Sequence, residues 1–289
     1  MVAAALLLSL ILAQAADQPR PALVTTPAYA EGPAVDAAGR RFVSDPISGV
    51  IFLVGDTRTD VWARIPGANG HEVLPDERHL IAATGALILL DGEGRELRRW
   101  TQTGDGSALI QPNDIFHDPR SGAIWVTDPG RWGERNLGRV LHLGADGTLR
   151  VVVNGLDFAN GLAVTPDGRR LIVAESQRNR LLAYPVLGPG RLGTASVFAA
   201  LPAARSSWTS SGSPELDGLV IRNGELIVAH FGTSDLLVYR LNGEKVRTIR
   251  TPIASVSNVA VTAGGELLVT GATGSRMGEG GVLVELGSN

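Results

Sequence analysis

The sequence predicts an all-β protein, a six-bladed β-propeller whose N-terminal strand closes the last blade. Three observations predict it. A strand–turn–strand unit recurs six times, starting at residues 31, 71, 113, 160, 217 and 258, with spacings of 40, 42, 47, 57 and 41. A period of about 40–45 residues with four short strands per repeat is the pattern of propeller blades. The 289 residues include 36 Gly and only 5% aromatics, a composition suited to tight turns between short strands. Apolar residues alternate or run in fours and fives, rather than recurring at the 3.6-residue helical period. A β-sandwich has no need of six copies of one unit.

The elements follow in chain order. Ala3 to Ala13 is apolar apart from Ser9, and Ala13-Gln14-Ala15 supplies a small-x-small cleavage pattern. That run is too short for a bilayer, which takes about 20 apolar residues. Residues 1–15 are therefore expected to be a secretory signal peptide and 16–289 one propeller domain, in a secreted or periplasmic protein. Met1 and Val2 carry no positive charge, and a buried N-terminal helix is the competing reading. Pro21 to Thr25 is expected to supply the outer strand of the last blade. The first repeat is Glu31-Gly32-Pro33-Ala34-Val35 with Arg41-Phe42-Val43-Ser44-Asp45. The second and weakest is His71-Glu72-Val73-Leu74 with His79-Leu80-Ile81-Ala82-Ala83. The third is Asn113-Asp114-Ile115-Phe116 with Ala123-Ile124-Trp125-Val126-Thr127. The fourth joins Asn160-Gly161-Leu162-Ala163-Val164 to Leu171-Ile172-Val173-Ala174-Glu175 through Pro166-Asp167-Gly168, with further strands at Leu181–Tyr184 and Ser196–Phe198. The fifth pairs Asp217–Ile221 with Glu225–Ala229, then Leu236–Tyr239 and Val246–Ile249. The sixth pairs Asn258–Val261 with Glu266–Thr270 and ends on Val282-Leu283-Val284-Glu285, one strand short. Zipping the chain ends together leaves the ring without an open edge.

Composition removes several function classes. The absence of Cys excludes a disulfide scaffold, a thiolate zinc site, an iron–sulfur cluster and a Cys nucleophile. A net charge of −3 with scattered Arg argues against nucleic acid as a partner. Beyond the N-terminus no apolar run is long enough for a membrane helix, so the expected partner is a small-molecule substrate.

One register position is polar in every repeat: Glu31, His71, Asn113, Asn160, Asp217 and Asn258. The first strand of each blade lines the central channel of a propeller, so equivalent positions form a ring around its axis. Asn and Asp are poor strand formers, and their recurrence at one register needs a reason. Carboxylate and amide oxygens suit a hard divalent cation, Ca²⁺ first, with Mg²⁺ and Mn²⁺ next and Zn²⁺ as a further alternative. Glu31 and Asp217 supply two negative charges, with amide carbonyls to complete the shell; without a cation, two buried carboxylates repel and one protonates. The competing reading is turn capping, which Asn and Asp also favour and Glu does not. In the weak second repeat a slip of one residue exchanges His71 for Glu72 and turns it away from the channel.

The segments Glu31-Gly32-Pro33, Pro112-Asn113-Asp114, Trp125-Val126-Thr127-Asp128-Pro129, Asn160-Gly161-Leu162 and Leu216-Asp217-Gly218, in this order, resemble the SMP-30/gluconolactonase/luciferin-regenerating-enzyme-like family. The resemblance runs from about Glu31 to the C-terminus. It implies a six-bladed propeller with a divalent metal in the channel, held by Glu31, Asn160 and Asp217. It implies Asn113 as a substrate-binding or outer metal-site residue and Asp217 also as the proton acceptor and donor. Members acting on sugar lactones often carry Arg where this chain has Gln111, and the second repeat is degraded.

The reading that follows is a metal-dependent hydrolase of the lactonase or esterase class. A cation there would polarise the carbonyl and lower the pKa of a water, whose proton Asp217 would accept. Asn113, Gln111 and His71 are the candidates for substrate contact. A phosphotriesterase-like hydrolase on the same metal, and a non-enzymatic binding propeller with structural calcium, are the alternatives. Gln111 brings no cation, and Trp132 and Trp208 lie in long connections that shape the mouth of such a site. Neutral or alkyl-substituted lactones are therefore expected to outcompete gluconolactone. No Gly-x-Ser-x-Gly elbow, zinc-protease motif or phosphate loop is present. His117, His142 and His230 read as sheet or loop histidines, with His230 close enough to the rim to be a reserve candidate.

Overall fold

The computed structural model describes residues 23–202, 214–274 and 278–287. The expected signal segment and Trp208 lie outside the described residues. Among the described residues no helix is long and apolar enough to cross a membrane.

Six antiparallel sheets follow one another along the chain. Their first strands are Glu31–Val35, Ala68–Val73, Ile115–His117, Ala159–Val164, Glu215–Arg222 and Ser255–Val261. Each touches the first strand of the blade before and after it, and the last touches the first, so the ring closes. The sixth blade is completed by Val24–Thr26, which pairs antiparallel with Gly281–Leu286 in the register Val24↔Leu283. Leu23 N extends the zip with a 2.9 Å bond to Leu283 O. The expected closing strand is thus present, shifted toward its C-terminal end. The fourth blade carries an extra two-residue strand, Arg191–Leu192, in a hairpin off Arg180–Gly188.

Alternating apolar positions place side chains between blades, where they form clusters rather than one central core. Phe42 and Ile51 of the first blade meet Ile81 and Ile88 of the second, and Ile227 and Val238 of the fifth meet Val259 and Val269 of the sixth. Each such buried side chain contributes roughly 1.5–3 kcal/mol, so the ring is held by its seams. The channel itself is left free for polar groups.

The ends of the second strands hold the loops at the wide end of the channel. Asp45 accepts from Ala28 N at 2.9 Å, Asp128 from Gln111 N at 2.8 Å, and Glu175 from Asp157 N at 2.8 Å. A buried carboxylate can accept several backbone N–H groups at once, which accounts for Asp or Glu recurring at this position.

In five first strands the ladder carries a bulge, where three residue steps face two on the neighbouring strand. Counting back three residues from the pairs Ala34↔Phe42, Glu72↔Leu80, Phe116↔Trp125, Ala163↔Ile172, Val220↔Ile227 and Ala260↔Leu268 gives the true ring. It consists of Glu31, Asn69, Asn113, Asn160, Asp217 and Ser257. The second blade therefore contributes Asn69 in place of His71, and the sixth Ser257 in place of Asn258. The degraded second repeat starts at Ala68, earlier than its apolar run suggests.

Candidate active site

Glycine sets the diameter of the ring. Gly32, Gly70, Gly161 and Gly218 each follow a ring residue. A Cβ on Gly32 would lie 2.0 Å from Asn69 O, one on Gly70 2.3 Å from Asn113 O, and one on Gly161 2.6 Å from Asp217 O. On Gly218 it would lie 2.0 Å from Asn258 Oδ1. No side chain fits there, so neighbouring first strands approach closely and their polar residues converge. In the third and sixth blades the corresponding positions are Asp114 and Asn258. Each folds back on its own strand, with Ile115 N donating to Asp114 Oδ1 at 3.0 Å and Val259 N to Asn258 Oδ1 at 2.8 Å.

Glu31, Asn69, Asn113, Asn160 and Asp217 line one cavity of about 540 Å³ at the wide end of the channel. All but Asn69 are buried, with Asp217 the most accessible of those four at 9%. The orientation of Asn160 follows from its neighbour Ser176. The Ser176 hydroxyl donates its single proton to Leu216 O at 2.6 Å. It must therefore accept from Asn160 Nδ2, 3.2 Å away, which turns Asn160 Oδ1 to the other side. That Oδ1 is buried and has no hydrogen-bond partner among the described residues, and the same holds for Asn69 Oδ1.

The electrostatics ask for positive charge. Burial first, then the Asp114 charge, pushes Glu31 up to about 8. Burial, then the Glu31 charge, holds Asp217 well above the usual carboxylate range, against the pull of the Asn160 side chain. Asp114 is pushed up to about 7 by burial. Tyr29 stands beside the pair, and burial followed by the Glu31 and Asp217 charges raises its phenol. Two buried carboxylates with two orphaned amide oxygens fit a hard divalent cation, which supplies the missing charge and takes the unused lone pairs. Among the described residues no three His, Cys, Asp or Glu side chains are placed to hold one metal ion together, so a cation here draws on amides. That donor set is poor for Zn²⁺ and good for Ca²⁺.

His71 is not in this cavity. Its Nε2 lies 2.8 Å from His79 Nδ1, and its ring stacks on Trp62 with centroids 5.7 Å apart. It borders a second cavity of about 290 Å³ toward the far ends of the first strands, together with Glu72, Asp114 and Asn258. Its expected substrate contact is therefore corrected: the bulge carries it past the ring to the opposite side. Asn258 lies near Glu31, where it counters the upward push of burial on that carboxyl. Gln111 does line the main cavity. His117, His142 and His230 do not; Phe231 reaches it where His230 was the rim candidate. Tyr29, Ser176 and Asn69 were missed in the sequence. Tyr29 is two residues before Glu31 and so shares its face in extended chain, a usable signal. Asn69-Gly70 repeats the polar–Gly pair of Glu31-Gly32, Asn160-Gly161 and Asp217-Gly218. Ser176 carries no comparable mark.

Comparison with known proteins agrees with this architecture. Residues 29–273 match the family model described as an SMP-30/Gluconolactonase/LRE-like region. A gluconolactonase of Zymomonas mobilis is 35% identical over 127 residues, which are 40% of this chain and 35% of that protein. The chain thus spans about a third of that relative. A diisopropyl-fluorophosphatase of Loligo vulgaris is 27% identical over 80% of this chain and 81% of its own length. Among solved structures, a gluconolactonase of Xanthomonas campestris superposes with a TM-score of 0.75 at 25% identity, covering 94% of this chain and 92% of that one.

Proposed function

The chain belongs to the SMP-30/gluconolactonase/LRE-like family, and from that premise we propose that it is a metal-dependent hydrolase that opens a lactone. The observation that carries the reading is the Asn160 amide. Ser176 commits its Nδ2, and its buried Oδ1 stands without a partner among the described residues, beside two carboxylates whose charged forms burial disfavours. Such an oxygen costs about 1–3 kcal/mol unless something occupies it.

Glu31, Asn160 and Asp217 would hold the ion, with Asn113 and Asn69 as further oxygens at the same level. A divalent cation bound there supplies Lewis-acid polarisation of an ester carbonyl and keeps both carboxylates ionised. Asp217 accepts the proton of the attacking water and returns it to the alkoxide that leaves when the ring opens. Asn113 and Asn69 offer amide N–H groups to orient substrate oxygens within the cavity. Ser257 ties down the backbone beside Glu31 through Ala30 O, and Ser176 fixes the Asn160 amide. The expected species in solution are Ca²⁺ and an uncomplicated small-molecule substrate, in a secreted or periplasmic setting.

Metal analysis of the purified protein, with a lactone and ester hydrolysis screen before and after EDTA, tests this. The expected outcome is one equivalent of a divalent ion and hydrolysis that EDTA abolishes and the ion restores. Full activity in metal-free protein would refute it. A second reading, hydrolysis of organophosphate esters at the same centre, is favoured by the match to the squid fluorophosphatase along most of both chains. A fluorophosphate in the same screen distinguishes the two, since only that reading expects fluoride release to exceed lactone opening.

A further inference from the structure

Apolar side chains, Ile47, Trp132, Phe158 and Phe231 among them, share the lining of the main cavity with its polar ring. Among the described residues no Lys, Arg or His lines it, whereas Glu31, Asp217 and Glu215 do. A lining without a cationic side chain among the described residues offers an anionic substrate no pairing partner of the protein's own. The upper walls are aromatic. Trp132 and Phe158 meet edge to face with centroids 4.6 Å apart and planes at 79°, and Tyr29 meets Phe231 at 6.4 Å and 86°. Trp132 is 40% exposed and Ile47 55%, so apolar surface stands open at the mouth.

The Trp132–Phe158 wall is built at a cost. Phe158 has φ of 65°, a left-handed conformation that a bulky side chain rarely adopts. Asp157, whose side chain is fully buried, ties this residue to the loop carrying Trp132. Its carboxylate accepts from Asn136 N at 2.8 Å, Arg135 Nη1 at 3.2 Å and Arg178 Nε at 2.6 Å. Its own N–H is fixed by Glu175. The two rings are thus held against each other by one buried anion between blades three and four.

We infer that the site takes an uncharged lactone bearing an alkyl or aryl substituent, with Trp132 and Phe158 as the specificity-determining wall and Asp157 as the residue that positions it. The inference rests on the lactonase reading above, and the test separates the two. Initial rates on δ-decalactone, δ-valerolactone and glucono-δ-lactone are measured for wild type, Trp132→Ala and Asp157→Asn. Wild type is expected to favour δ-decalactone over glucono-δ-lactone in kcat/KM by roughly 10–200-fold, the range one apolar contact region supplies. Trp132→Ala lowers the δ-decalactone to δ-valerolactone ratio about tenfold, through KM more than kcat. Asp157→Asn keeps both rings and moves the same ratio in the same direction. A preference for glucono-δ-lactone, or a ratio untouched by Trp132→Ala, overturns the inference and leaves lactone opening intact. If no lactone is hydrolysed, tryptophan fluorescence is titrated with δ-decalactone. A saturable quench that Trp132→Phe abolishes upholds the wall and refutes the lactonase reading; no quench refutes both.

Discussion

A single methyl group at Gly161 tests whether the close approach of neighbouring first strands spaces the site. A Cβ there would lie 2.6 Å from Asp217 O, 2.7 Å from Leu219 N and 2.9 Å from Gly218 C. All three are backbone atoms of the fifth blade, so no side chain can swing aside. Ordinary contact begins at 3.4 Å, and the strand carrying Asp217 must therefore withdraw by about 0.8 Å. Overpacking of this kind costs about 1–3 kcal/mol of stability. A misplacement approaching 1 Å between Asn160 and Asp217 is worth about 10²-fold in rate. Gly161→Ala is therefore expected to unfold at lower denaturant with unchanged m, to bind its ion more weakly and to lose about two decades of kcat/KM. Gly92→Ala is the control, since the nearest atom to its new Cβ is 3.6 Å away and its φ is not left-handed; its stability should stay within about 0.5 kcal/mol of wild type. Wild-type stability and turnover in Gly161→Ala would refute the idea that glycine packing fixes the ring.

Three further outcomes follow from the same geometry. Asp217→Asn removes the proposed base and one charge at the centre, so hydrolysis should fall at least about 10²-fold with loss of bound ion; near-wild-type turnover with the ion retained would exclude Asp217 as the base. Asn69→Ala should lower kcat/KM about tenfold or more as a lost polar contact, while His71→Phe should leave the kinetics alone and change only stability; the reverse pattern would restore His71 to the site. Acid stability should depend on His71 and His79. Burial holds His71 well below 6.5, helped by His79, and holds His79 down at about 4, helped by Arg40 against the opposing Asp36 and Asp91. The unfolded chain therefore takes up protons first as pH falls. Stability is complete above about pH 6.5 and is lost toward pH 4, at about 1.4 kcal/mol per pH unit for each such His. Thermal unfolding across this window checks it. The acid limb should flatten in His79→Phe, and an identical limb in that variant would refute the assignment.

The architecture was legible because it is written redundantly. Six copies of an apolar strand, an Asp-Gly turn and a second apolar strand leave few alternatives, and one weak copy does not alter the count. The short sixth repeat pointed to Pro21 to Thr25 as its missing strand for the same reason, an edge that had to be covered, and the pairing with Gly281–Leu286 is made by Val24–Thr26. The Trp132–Phe158 wall was only half legible. Trp132 stood out as an aromatic in a long connection, but the φ of Phe158 and the grip of Asp157 on Asn136 depend on contacts between blades, which no local pattern encodes.

The site shows where register reading fails and why. Glu31, Asn113, Asn160 and Asp217 fell at one level because each stands three residues before the same paired position, with or without the bulge. His71 and Asn258 were chosen by the start of an apolar run, yet a bulge inserts an extra residue just where the ring residue stands. Apolar alternation reports the face of a strand only after the bulge, so it carries no information about the residue before it. The glycine does, because the steric need is at the ring itself. Asn69-Gly70 satisfies that need with Asn113 O 2.3 Å from a would-be Cβ, whereas His71 is followed by Glu72. In the sixth blade Ser257 precedes Asn258 rather than Gly. Its hydroxyl donates to Ala30 O at 2.7 Å, which ties the last blade to the residue before Glu31. Four polar–Gly pairs therefore mark residues that converge on the cavity. The two positions without Gly, Asp114 and Asn258, set a charge and an amide near Glu31, where they tune that carboxylate while leaving the wide end of the cavity clear.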